Sequence, residues 1–192
     1  MAFLTIGEVL DIVVMSLVIG FIFMDYFRGI KPRRIKSYYE LFKRPMFDRD
    51  AFIFSILVVV PAIVLHEFGH KLTAMLFGYT ASFHAAYIYL LIGLFLKLIG
   101  SPIIFFVPAY VSIPANTAPL EQSLIALMGP GVNIMLWLLS FCMLENHADT
   151  REKKVLWAAS KRINGFLAVF NLLPIPGFDG FHVIAGLIRA VA

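Results

Sequence analysis

Charge is scarce in this sequence. Asp, Glu, Lys and Arg make up 15% of its 192 residues, against roughly 25% in ordinary soluble domains, which is too little to clothe a water-exposed surface. A nucleic-acid partner is excluded on similar ground, because the net charge of +4 is small and the basic residues gather in connecting segments. Cysteine is almost missing. Cys142 stands alone and can form no intrachain disulfide, so cysteine usage says nothing of redox compartment; its plainest role is that of a small buried hydrophobe. Internal repeats and low-complexity tracts are also lacking.

What is present is apolar surface. Hydrophobic residues reach 60%, with nineteen Phe, and the mean hydropathy is +0.87. The class this predicts is an all-α polytopic membrane protein, a bundle of about four to five transmembrane helices crossing a bilayer core roughly 30 Å thick. The ten prolines fit that setting, since neighbouring helices and water can satisfy the backbone groups that proline leaves free. A single membrane-embedded domain over 1–192 is expected, multi-pass and in the cell membrane, with membrane lipids as its surroundings. Within it, 1–50 forms an accessory first span and a basic interfacial loop, and 51–192 a core.

Phe3 to Met24 is the first run of spanning length. No Lys or Arg precedes it and no small-residue cleavage site follows, so a retained helix is predicted rather than a signal peptide. Glu8 and Asp11 share a face near its start, where they can simply reach the interface. Asp25 to Asp50 then holds eight of the sixteen basic residues, interleaved with aromatics, the pattern of an amphipathic segment at headgroup level. Ala51 to Phe77 is the second span, with Gly78 as its stop signal. Tyr87 to Ile99 reads as a short helix or hairpin entering the membrane, with one or two short strands from Ile103 to Ile113; a full span from Tyr87 to Val107 is the competing reading. Leu120 to Leu144 is a further span, interrupted by Gly129-Pro130-Gly131, where two glycines beside a proline can also mean no more than close helix packing. After Ile163 the chain turns apolar again, unwinds through Asn171 to Phe178 because Pro174, Pro176 and Gly177 cannot continue a helix, and resumes as a helix from Asp179 to Arg189. That is one broken helix, with a carboxylate at the break.

The second span carries His66-Glu67-Phe68-Gly69-His70. Histidines four residues apart on a helix are about 400° apart in rotation and share one face, where they can hold one divalent metal. Glu67, beside the first of them, can accept a proton from the attacking water, as in helical zinc peptidases. Catalytic zinc usually takes three protein ligands. Asp179 is the third by elimination, being the one carboxylate at a helix break in an apolar region, where an uncompensated charge is costly. His182, three residues on, can share its face in a metal-related role, while His84 and His147 read as interfacial or loop residues. Asn133 and Asn171 are buried amides that either brace helices or hold substrate backbone.

Taken together, three separated stretches resemble the site-2 protease family of intramembrane metalloproteases. HEFGH matches its HExxH, Gly129 to Asn133 its Gly-Pro-x-x-Asn segment, and Asn171 to Gly180 its Asn-x-x-Pro-x-Pro-x-x-Asp-Gly segment. The likeness covers roughly Ala51 to Ala192. Gly177-Phe178 departs from the family's frequent Pro-Leu, and no inserted PDZ or CBS domain is present. The resemblance implies one Zn2+ per chain on His66, His70 and Asp179, Glu67 as the catalytic glutamate, and transmembrane proteins as substrates. A helical substrate must unwind locally first, because its backbone groups are already paired. Two other functions stand beside this one: a catalytically silent adaptor that binds membrane helices, which has no need of Glu67, and a metal transporter. The family's usual orientation puts the basic loop outside and the positive-inside rule puts it in the cytoplasm; a reporter fused into that loop distinguishes the two.

Overall fold

In a computed structural model the chain is described over residues 3–29, 46–101 and 108–191. Most of the basic segment and Pro102 to Val107 therefore lie outside the described residues, including the first part of the expected strand region.

Helix α1 (Ile6–Phe23) starts on a capping box: Thr5 Oγ1 accepts the Glu8 N–H at 3.3 Å and the Glu8 carboxylate accepts the Thr5 N–H at 2.8 Å, satisfying two donors that a helix start leaves free. A 3₁₀ turn, Met24–Phe27, ends it. Helix α2 (Arg49–Leu76) is capped by Asp48, whose side chain accepts the Ala51 N–H at 3.1 Å. Its stop is a Schellman arrangement in which Gly78, at φ +83°, donates to Met75 O and Tyr79 donates to Ala74 O; only glycine adopts that backbone without strain. Gly20 lets α1 lie directly on α2, since a Cβ there would fall 2.5 Å from Ile56 Cγ1.

Strand β1 (Ser82–Ala85) leads into helix α3 (Tyr87–Leu98), and β2 (Ala109–Ser112) returns to pair antiparallel with β1, Phe83 opposite Val111 and Ala85 opposite Ala109. Gly100, at φ +69°, ends α3 by the same 6→1 and 5→2 bonds that end α2, so the helix stops at Leu98. Helix α4 (Pro119–Asn146) passes through Gly129-Pro130-Gly131 without a break, correcting the interruption read from sequence; Gly129 serves close packing, while beside Gly131 there is open space. Cys142 lies exposed on α4 rather than buried. Helix α5 (Arg151–Asn171) and helix α6 (Asp179–Val191) flank the expected break.

Among the described residues three stretches are long and apolar enough to cross a membrane, Ile6–Phe27, Arg49–Leu76 and Pro119–Asn146, fewer than the four to five expected from sequence; α3 is a shorter apolar helix. The 28 residues of α2 rise about 42 Å. The core lies between α1, α2 and the sheet, around Met15, Ile19, Val59, Ile63 and Phe83.

Glu8 and Asp11 do more than reach an interface. Glu8 is 5% exposed, pairs with the buried Lys71 ammonium and accepts the Phe83 N–H at 2.7 Å. Asp11 accepts the Ala85 N–H at 3.1 Å and the Tyr87 hydroxyl. Two carboxylates on one face of α1 thus take the place of a neighbouring strand along β1. Since Phe83 and Ala85 donate away from β2, their partners Val111 and Ala109 must also direct their backbone groups outward, toward the opposite edge of the two-stranded sheet.

Candidate metal centre

Helical periodicity places His66 and His70 one turn apart on α2, their rings edge to face with centroids 4.8 Å apart. Asp179 opens α6 after the irregular stretch from Leu172 to Phe178, and Gly180 next to it lets α6 turn tightly, because a Cβ there would stand 2.7 Å from Leu173 O. The carboxylate reaches both rings: Oδ2 lies 3.1 Å from His66 Nε2 and Oδ1 3.3 Å from His70 Nε2, with the two Nε2 atoms 3.2 Å apart.

The hydrogen bonds behind the rings decide what those nitrogens carry. His70 Nδ1 lies 2.7 Å from Ile125 O, a carbonyl that can only accept, so Nδ1 holds a proton and, in the neutral ring, Nε2 carries the lone pair. His66 Nδ1 lies 2.6 Å from Asn133 Oδ1. That amide is oriented by its other end, as its Nδ2 donates at 3.0 Å to Ala62 O and at 3.0 Å to Asn164 Oδ1. His66 therefore has the same tautomer. With both rings neutral, two lone pairs and a carboxylate converge on one point, and Asp179 Oδ2, though buried, has no hydrogen-bond partner among the described residues. Mutually repelling acceptors in so dry a place call for a cation. The donor set, two imidazoles and one carboxylate within 4.8 Å of one another, suits zinc with a position left open.

Room for the ion depends on glycine. A Cβ on Gly129 would stand 2.7 Å from His66 Nε2 and nearer still to His70 Nε2, and one on Gly69 would stand 2.7 Å from Met128 O. The two glycines face each other's helices, so α2 and α4 cross at backbone distance beside the histidines.

Glu67 is buried and lines the same cavity as the cluster, a cleft of about 450 Å³ that also borders Tyr110, Val111, Phe170 and His182. Asn171 lines this cleft as well. Asn133 does not; it is fully buried behind His66. His84 sits in β1 with its ring 4.0 Å from Asp11 Oδ2, and His147 caps α4, both away from the cluster. Sequence reasoning passed over Asn164, buried at 2% exposure. The signal there is weaker than at Asn133, because Lys161 and Arg162 directly precede Asn164 and the chain turns apolar only after Ile163.

Comparison with known proteins gives a consistent set of relatives. The chain is 34% identical over 145 residues to a Methanocaldococcus jannaschii protein named "Putative zinc metalloprotease MJ0611", covering 75% of each. It is 28% identical over 161 residues to a Mycolicibacterium smegmatis protein named "Putative zinc metalloprotease Rip2", covering 73% of this chain and 60% of that one, and 28% identical over 169 residues to its Mycobacterium tuberculosis namesake, of which it spans 61%. No protein-family model matches the chain, and no solved structure does.

Proposed function

We propose that this chain, which belongs to the zinc metalloprotease family of its archaeal relative, is an intramembrane endopeptidase of the site-2 type, a multi-pass protein of the cell membrane whose substrates are transmembrane proteins. The observation that carries this reading is the cluster of His66, His70 and Asp179 on one cleft with Glu67, built on α2, a helix long and apolar enough to span. In this reading 1–192 is a single membrane-embedded unit with its core over 51–192, and α3 with the broken α5–α6 segment completes the bundle of four to five membrane elements.

His66, His70 and Asp179 would hold one zinc ion per chain, which when bound acts as a Lewis acid on the scissile carbonyl and lowers the pKa of water. Glu67 takes the proton of the attacking water as its oxygen bonds to the carbonyl carbon, and returns it to the amide nitrogen as the C–N bond breaks. Burial of Glu67 and both histidines keeps bulk water from competing for that proton. Substrate has to arrive extended, because a helix has no free backbone groups to offer. The outward edge of β2 supplies partners: Ala109 and Val111 line the cleft, and a substrate strand can add there by backbone pairing. Asn171, at the cleft wall, contacts the unwound segment, while Asn133 acts through His66.

The test uses the full chain in detergent or bicelles, loaded with zinc and given a transmembrane protein as substrate. Wild type is expected to cleave. Glu67→Gln should keep its zinc and lose cleavage by about 10²–10⁴-fold, the usual worth of a general base. Equal cleavage by the two proteins would sink the mechanism.

A further inference from the structure

The tautomer of His66 is set from a distance, by a chain of side-chain amides that ends on a different helix. Asn164 of α5 donates from Nδ2 to Ser160 O at 2.9 Å and to Ser160 Oγ at 3.2 Å. Ser160 O is a backbone carbonyl of an intact helix and can only accept, so the Asn164 amide has one permitted orientation, with Oδ1 toward α4. That oxygen receives Asn133 Nδ2 at 3.0 Å, and the second proton of the same nitrogen goes to Ala62 O at 3.0 Å. Asn133 is then held with Oδ1 toward His66 Nδ1 at 2.6 Å. Asn164, Asn133, Ala62 and His66 are 0–6% exposed and Ser160 is half-buried, so water does not reach the amide-to-amide and amide-to-imidazole links, where a flipped amide would set donor against donor or oxygen against oxygen.

We infer that Asn164 is a positioning residue for the metal centre: through Asn133 it holds the His66 lone pair on Nε2, facing His70 and Asp179. The side chain does not line the cleft and makes no hydrogen bond to His66, His70 or Asp179. Its role is to remove a choice. An imidazole free to take either tautomer spends part of its time with a proton on the nitrogen needed for coordination, whereas His66 in this setting does not. Outer partners of this kind raise metal affinity by fixing ring orientation and proton location. His70 needs no such relay, since a main-chain carbonyl, Ile125 O, does the work directly.

The inference rests on reading the cluster as a zinc site, and the experiment separates the two. Full-length protein in detergent is titrated with zinc against a chromophoric chelator, and the thermal stability of the zinc-free form is measured alongside. Asn164→Leu, similar in size but without the amide, should raise the zinc Kd about tenfold, the low end of what outer partners contribute. A folded Asn164→Leu protein that binds zinc as tightly as wild type overturns the inference. If that variant does not fold, ¹⁵N-histidine spectra of the zinc-free wild type decide it: a proton on His66 Nδ1 supports the relay and a proton on Nε2 overturns it. Failure of wild type to bind zinc at all would instead remove the metalloprotease reading, which the tautomer measurement does not depend on.

Discussion

Gly129 on α4 faces His66 so closely that a Cβ in its place would stand 2.7 Å from the ring's Nε2. The glycine therefore marks the volume that an ion would share with the imidazoles. Gly129→Ala fills part of that volume without altering any ligand. Overpacking of this kind costs about 1–3 kcal/mol, and each 1.4 kcal/mol is tenfold, so zinc affinity is expected to fall roughly 10–100-fold. Chelator competition measures it, and unchanged affinity would mean that the ion sits elsewhere.

Asp179→Asn keeps the shape of the third ligand and removes its charge. Zinc affinity should drop by more than the roughly 10–100-fold that outer partners cost. Added zinc is expected to raise the melting temperature of wild type and to leave that of the variant nearly unchanged. Thermal scans with and without chelator check this.

The pair formed by Glu8 and Lys71 is almost wholly enclosed, at 5% and 1% exposure. Lys71→Met should destabilise the protein by about 3–5 kcal/mol, because it strands a buried carboxylate. Adding Glu8→Gln should recover part of that loss, since the charge is gone and the amide oxygen still accepts the Phe83 N–H, while its NH2 group then faces the Thr5 N–H. A denaturation series on the two variants reads this out, and equal stability of single and double variant would contradict it.

Asp11 holds the frame of the cleft rather than its chemistry, through the Ala85 N–H and the Tyr87 hydroxyl. Asp11→Ala should raise KM and leave kcat nearly unchanged, by about fivefold if one hydrogen bond worth roughly 1 kcal/mol of strand positioning is lost. Asp11→Asn, which can accept from Ala85, should return KM toward wild type. Steady-state cleavage of a membrane substrate separates the two constants, and a fall in kcat alone would speak against a role in substrate pairing.

Much of this architecture is written locally. The spacing of His66 and His70 puts both on one helical face whatever surrounds them, because 3.6 residues per turn leaves no alternative. Asp48, Thr5 and Thr150 announce helix starts, Gly78 a helix stop, and Pro174 to Gly177 a break, since each acts on backbone within a few residues. Side-chain partnership across the fold is a different matter. Nothing near Glu8 in the chain indicates Lys71 or Phe83, so its carboxylate reads as interfacial until α1 is laid on α2 and β1. The Gly129-Pro130-Gly131 stretch looks like a break, yet the helix continues and Gly129 marks a close crossing, because the space it leaves is taken by the histidines of α2. Asn133 and Asn171 look alike in sequence, yet one is sealed behind His66 and the other borders the cleft. Local periodicity and backbone chemistry were thus determined by the sequence alone. The tertiary structure decided which buried polar groups face one another, because desolvation makes each of them depend on a partner that only the packed chain supplies.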